Sequence, residues 1–274
     1  MLRWIPDWVL YALALGVVLW AIFSGPDNDA PPPPPEAIER EGAMLPPISP
    51  FDERVIVQVT KPKSGVGTAF AINDDGHWLT ARHVVDGCDK VSLLVAPNQY
   101  ATVEAVTISS TYDLALLETN VSPYPVVLDV ESPLTIGTFG YHVGYPQGRP
   151  GEAASRLLSR SQLITRGERR SEESVLVWAE TGRTRGLMGS LGGLSGGPVY
   201  DDEGRVRGVI VAESPRRGRI YSASPEAVSS FVSSTGVPLM GERPRPFSPR
   251  SYGREADYAR RKLQVVKVAC EVES

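Results

Sequence analysis

Beyond Arg54 the chain is written in short β-branched and aliphatic runs cut by turn residues, a pattern that suits strands and not long helices. Val55, Val57 and Val59 alternate with Ile56, Gln58 and Thr60, and further runs occupy 91–95, 101–108, 114–117, 175–178 and 206–211. β-Branched side chains lose rotamer freedom in a helix and pack well on a pleated surface. Between the runs stand Asn73-Asp-Asp-Gly76, Ala96-Pro-Asn98 and Asp201-Asp-Glu-Gly204, each rich in residues that reverse a chain. Many short strands at near-regular spacing predict an all-β body, a sandwich or a barrel.

The N-terminus is different. Residues 8–23 are uninterruptedly apolar, about 24 Å of helix, and extension back to Trp4 gives about 30 Å, the thickness of a bilayer core. Arg3 precedes this segment, whereas Asp27, Asp29 and Glu36 follow it, which orients the N-terminus to the cytoplasm and the body outside. A cleaved signal peptide is the alternative, but the apolar core exceeds the usual roughly 7–15 residues and no Ala-x-Ala site follows. Nine of the 24 prolines fall between Pro26 and Pro50, five of them in the run Pro31 to Pro35, which reads as an extended polyproline spacer. Four more lie between Pro238 and Pro249. These boundaries predict an anchor at 1–24, a linker at 25–50, a folded body at 51–240 and a tail at 241–274.

With a net charge of −4 and 22% charged residues, the chain is neither strongly basic nor built to stay unfolded, so a nucleic-acid partner is not expected. Two cysteines are too few for a disulfide scaffold. There are only three histidines, His77, His83 and His142, and His77, six residues before His83, has no cysteine or carboxylate at a useful ligand spacing, so neither a metal nor another cofactor is expected. His77 and His142 read as strand residues, and Trp78 and Trp178 as core aromatics.

Chemistry concentrates at three places. Ser195 lies in Gly192-Gly-Leu-Ser-Gly-Gly-Pro198, where flanking glycines let the backbone turn tightly and project the hydroxyl. His83 lies in Leu79-Thr-Ala-Arg-His-Val-Val85, and Asp113 in Thr111-Tyr-Asp-Leu-Ala-Leu-Leu117, an apolar run that would carry the carboxylate into a protected position. A Gly-x-Ser-x-Gly pentapeptide also marks the nucleophile elbow of α/β-hydrolases, but that fold needs its histidine after the serine, and all three histidines come before Ser195. A subtilisin-type order would need Asp52, Asp74 or Asp75, whose surroundings are turn-like. The order His83, Asp113, Ser195 is that of the chymotrypsin-like double barrel.

Here the resemblance becomes specific. Gly67-Thr-Ala-Phe70, Leu79-Thr-Ala-Arg-His-Val-Val85, Tyr112-Asp-Leu-Ala-Leu116 and Leu194-Ser-Gly-Gly-Pro-Val199 resemble the successive signatures of trypsin-like serine proteases, most of all the bacterial HtrA/Deg-type branch. Gly140-Tyr-His-Val-Gly-Tyr-Pro146 is similar to a strand and Gly-x-Pro turn of that branch. The resemblance spans about residues 52–236 and implies a double six-stranded β-barrel, which the apolar segment read above would set behind a single N-terminal transmembrane helix. It implies that Ser195 attacks a peptide carbonyl, that His83 takes and returns the proton, that Asp113 orients the imidazole, and that the amides of Gly193 and Ser195 receive the oxyanion. With 34 residues after Met240, the PDZ-type module of full HtrA proteases is not expected to follow the barrels here.

Some features depart from the family pattern. Leu194 stands where digestive members carry Asp and HtrA-type members usually Asn, which leaves open how the loop before Ser195 is held. Gly189, Val211 and Ala212 point to a small or medium apolar residue before the scissile bond, while Glu213 keeps a basic one open. Cys88 and Cys270 either pair, clamping the tail to the first barrel, or stay free. The tail's Arg260-Arg-Lys262 would touch anionic lipid or a partner; a solvated helix face followed by a docking strand is the simpler expectation.

Together these readings predict a membrane-anchored serine endopeptidase on the periplasmic or extracellular side. It would act on protein or peptide substrates in quality control or signalling, with a homo-oligomer or regulatory partner as candidates by resemblance. The alternative is a catalytically silent protease-fold module that binds a partner.

Overall fold

The computed structural model describes residues 13, 15–17, 42–59, 63–121, 123–167, 171–241 and 243–273. The expected membrane segment and most of the proline-rich linker lie outside the described residues. Among the described residues no helix is long and apolar enough to cross a membrane.

Two antiparallel barrels carry the fold, as short alternating runs require. The first is built from β2 (Gly65–Ala71), β3 (His77–Thr80), β4 (Lys90–Ala96), β5 (Gln99–Thr102), β6 (Ala105–Ile108) and β7 (Ala115–Glu118). The second closes as a ring of β8 (Phe139–Gly144), β9 (Gly151–Gly167), β10 (Ser171–Arg183), β13 (Arg219–Ala223), β12 (Val206–Ser214) and β11 (Pro198–Tyr200). The apolar run at 101–108 is split between β5 and β6, each pairing with a different strand.

Each sheet holds seven strands, one more than the six expected. In the second barrel the extra one is β1 (Glu53–Val59), which runs parallel to the far half of β9. Its alternation works as the sequence implies: Val55 and Val57 pack against the main core while Ile56 is half exposed. In the first barrel the extra one is β14 (Val265–Glu271), inserted between β4 and β2 and hydrogen-bonded to both. Val265, Val266 and Val268 are buried there, so the end of the tail completes the core rather than docking on its surface.

Helices are few. α1 (Arg82–Val85) follows β3 as a single turn. α2 (Pro225–Thr235) begins at Ser224, whose Oγ accepts from the Ala227 amide at 3.3 Å, and turns Val228, Phe231 and Val232 inward. α3 (Tyr252–Arg261) leads into β14 and buries Tyr252, Ala256, Ala259 and Arg260. Arg260 therefore faces the protein and not a lipid surface. Trp78 and Trp178 are buried core residues whose indole N–H groups donate to Thr119 Oγ1 (3.0 Å) and Ser222 Oγ (2.9 Å).

Candidate active site

His83 sits on α1, so its side chain leaves the first barrel just where β3 ends. The turn 109–113 before β7 delivers Asp113 to it, braced by Ser109 Oγ, which accepts from the Thr111 and Tyr112 amides. Asp113 Oδ2 lies 2.6 Å from His83 Nδ1, and Oδ1 accepts from the His83 backbone N–H at 2.9 Å. One carboxylate thus holds both the ring and the backbone of the same histidine. Burial opposes charge on the imidazole, but the charge and hydrogen bond of Asp113, with a contribution from Glu173, outweigh it and raise the His83 pKa. Burial likewise opposes charge on Asp113, yet His83, with help from Arg82, holds its pKa below the ordinary value. With Nδ1 engaged by Asp113, the His83 ring is 35% exposed.

Ser195 comes from the second barrel. Its carbonyl accepts from the Thr68 amide of β2 at 2.9 Å, and the Gly196 amide donates to the Ile210 carbonyl of β12 at 2.7 Å, so the serine is tied to both barrels. Two glycines are required here. Gly193 has φ +98°, and a Cβ on it would stand 2.5 Å from the Tyr145 carbonyl oxygen; Gly196 has φ +85°, and its Cβ would stand 2.1 Å from the Thr68 carbonyl oxygen. Neither the Gly193 nor the Ser195 amide donates to a protein acceptor among the described residues. His83, Ser195 and Gly193 line one cleft of about 240 Å³, whose other wall is formed by Val66, Val84 and Cys270 of the first barrel. No direct hydrogen bond joins Ser195 to His83, a contact that commonly tightens only when substrate is bound.

Leu194 answers how the serine loop is held without Asp or Asn. It is 1% exposed and packs with Leu134, Leu157, Leu191 and Trp178 in the apolar core of the second barrel. An apolar plug thus replaces a polar tie. Two further residues hold the same loop. Thr68 Oγ1 donates to the Gly193 carbonyl at 2.7 Å and accepts from the Tyr145 amide at 3.1 Å. Gln147 donates through Nε2 to the Met188 (2.7 Å) and Ser190 (2.8 Å) carbonyls and through its backbone amide to the Gly192 carbonyl (2.5 Å). Thr68 and Gln147 lie inside or beside the family motifs, but nothing in the motifs signals these contacts.

The residues expected to shape the pocket before the scissile bond are not among those that line this particular cleft. Gly189, at φ +74°, accepts from Arg183 Nη1 at 2.8 Å, and Val211 is buried on β12 beside half-buried Ala212. The Glu213 carboxylate is engaged by the Ser190 hydroxyl and the Leu191 amide, which leaves it a loop brace more than a receptor for a cation. His142 is fully buried, with Nε2 2.6 Å from Ser155 Oγ, and burial pushes its pKa down to about 3, so this second His–Ser pair is a neutral core contact. His77 pairs with Asn73 Oδ1 at 3.0 Å. Cys88 and Cys270 are joined, tying the turn after α1 to β14. No cluster able to hold a metal ion occurs among the described residues.

With this geometry in place, comparison with known proteins is decisive on family. Residues 67–209, more than half of the chain, match the trypsin-like peptidase domain. The chain belongs to the trypsin-like peptidase family. A probable periplasmic serine endoprotease of DegP-like type from Hahella chejuensis is 26% identical over 159 residues, covering 58% of this chain and 32% of the relative. A DegP-like relative from Pseudomonas fulva is 25% identical over 193 residues, covering 64% and 38%. The chain therefore spans about a third of the length of these curated relatives. Among solved structures, the active form of the Rv3671c protease from M. tuberculosis superposes with a TM-score of 0.52 at 20% identity, covering 76% of this chain and 98% of that one. The HtrA-type protease AlgW gives 0.50 at 18%, covering 61% and 50%. These likenesses show the chymotrypsin-like two-barrel fold of the family.

Proposed function

We propose that this trypsin-like peptidase is a serine endopeptidase working by acyl transfer, with Ser195, His83 and Asp113 as its catalytic residues. The observation that carries the reading is the His83–Asp113 pair facing the cleft that Ser195 enters from the other barrel. Ser195 Oγ attacks the peptide carbonyl and forms the C–O bond while its proton passes to His83 Nε2. The amides of Gly193 and Ser195 receive the developing oxyanion, and collapse of the intermediate breaks the C–N bond as His83 returns the proton to the leaving amine. Water then repeats the sequence on the acyl-enzyme. Protein or peptide substrates, a residue of small or medium apolar character before the scissile bond, and a role in quality control or signalling proteolysis belong to the same proposal. So does its place: the apolar segment 8–23 and the charges around it support an anchored chain with its barrels outside the cytoplasm.

A fluorophosphonate probe tests this without a known substrate. Ser195 Oγ displaces fluoride from phosphorus and His83 accepts the proton. The full chain is expected to gain one adduct, mapped to Ser195 by mass spectrometry. Ser195→Ala removes the adduct, and His83→Ala slows its formation by roughly 10⁴-fold. Because Asp113 raises the His83 pKa, the labelling rate of the wild type is expected to climb with pH through a midpoint above 6.5. Equal labelling of wild type and Ser195→Ala, or none of the wild type, would remove the reading and favour a silent binding module.

A further inference from the structure

Behind the catalytic aspartate lies a second carboxylate that the triad mechanism does not use. Glu173, on β10 of the second barrel, is 3% exposed, and its two oxygens lie 3.1 and 3.2 Å from the Asp113 amide nitrogen. We propose, resting on the acyl-transfer reading above, that Glu173 is a positioning residue for this site. It clamps the Asp113 backbone from across the barrel interface, and when charged it stabilises the imidazolium that forms on His83.

A buried carboxyl that serves only as a hydrogen-bond acceptor for one amide is an expensive choice, since a neutral amide or hydroxyl would accept equally well. Glu173 faces Asp113 from the turn before β7 and His83 and Arg82 from α1, while its neighbour across β9 is the uncharged Leu163. Once ionised it is a second anion beside a histidine that must become a cation during each turnover. Burial, with the Asp113 charge added, pushes the Glu173 carboxyl up to about 8, against the opposing pull of the Asp113 amide, His83 and Arg82. Near neutral pH the group holds a proton and acts as a clamp. Above about pH 8 it becomes a charge within the field of His83.

Geometry explains why this residue and not another. Asp113 already spends both oxygens on His83, so nothing in the pair itself fixes the Asp113 backbone. Glu173 supplies that constraint from the opposite barrel, which also sets how the first barrel's histidine meets the second barrel's serine. A one-carbon shortening would withdraw the clamp, whereas glutamine would keep an acceptor in place without the charge.

Labelling kinetics of the full chain with the fluorophosphonate probe, measured from pH 6 to 10, separate the two roles. The wild type is expected to show a second rise near pH 8 beyond the His83 midpoint. Glu173→Gln should match the wild type near pH 7 but lack that second rise, ending roughly fivefold slower at pH 9. Glu173→Ala should be slower by roughly tenfold or more at every pH, with Glu173→Gln as the rescue that a merely structural fault would not follow. Superimposable wild-type and Glu173→Gln profiles would overturn the charge role, and a Glu173→Ala rate equal to wild type would overturn the clamp. Titration of the His83 ring protons by NMR needs no turnover. A second inflection near pH 8 in the wild type and its loss in Glu173→Gln support the coupling, and an inflection common to both overturns it. A wild type that never labels at Ser195 would sink the acyl-transfer reading separately.

Discussion

Replacing Arg260 by methionine gives the sharpest test of how the tail supports the site. Arg260 reaches from α3 into the second barrel with its side chain 7% exposed, and donates to the Gly144 (3.3 Å) and Gly151 (2.6 Å) carbonyls that flank the turn carrying Tyr145 and Gln147. The same guanidinium holds Glu152, 1% exposed, at 2.6 Å, and Glu152 also accepts from Thr184 Oγ1 at 2.9 Å. Methionine keeps most of the apolar volume but strands a buried carboxylate and two carbonyls. Removing one partner of a buried pair costs about 3–5 kcal/mol. At roughly 2–4 °C per kcal/mol for a body of this size, the melting temperature should drop by about 10 °C at pH 7.

The pH dependence of that loss makes the reasoning specific. Burial already raises the Glu152 pKa, and Arg260 is its main counterweight, so the variant should raise it further. A carboxyl with a higher pKa in the folded than in the unfolded state makes stability fall as pH rises. The deficit of Arg260→Met relative to wild type should therefore be small at pH 4 and widen up to pH 8, and Glu152→Gln in the same chain should restore most of it. Melts of the full chain in detergent, followed by circular dichroism, read this directly. A melting temperature within 1–2 °C of wild type at pH 7, or a deficit that does not change with pH, would refute the account.

Two further outcomes follow from the same structure. Gly196→Ala forces a Cβ to 2.1 Å from the Thr68 carbonyl oxygen and 2.2 Å from Thr80 Oγ1 at a φ of +85°, so it should abolish Ser195 labelling and cost roughly 4 kcal/mol or more in a denaturation titration. The Cys88→Ala, Cys270→Ala double variant removes a cross-link between residues 182 apart and should lower stability by about 3–4 kcal/mol under non-reducing conditions, with thiol reduction of the wild type giving the same loss. Equal denaturation midpoints before and after reduction would show that the bond contributes nothing.

Much of the fold was legible because strands announce themselves locally. Alternation in 55–59, the turn clusters and the buried tryptophans needed no partner to be read, and the chain order of His83, Asp113 and Ser195 selected one topology among the known arrangements of these three groups. The glycines around Ser195 could be assigned from the same logic, since only they tolerate the backbone that projects the hydroxyl. Leu194, like the pairing of Cys88 with Cys270, was a position where the sequence posed a question without an answer. The environment of Leu194 is an apolar cluster assembled from Leu134, Leu157 and Trp178, residues scattered over four segments counting its own loop.

What the sequence alone determined was the class of fold, the order of the chemical groups and the place of the turn that carries Ser195. Tertiary structure decided the rest, because it depends on pairings between distant segments. Glu173 meets Asp113 across 60 residues, Arg260 meets Glu152 across 108, and β14 enters the first barrel between strands that lie some 170–200 residues before it. A glutamate in a polar stretch and an arginine in a basic run look like solvated surface, since their side chains carry no local mark of burial. Only when the barrels close do those charges lose water, and only then do they acquire the partners that define the site.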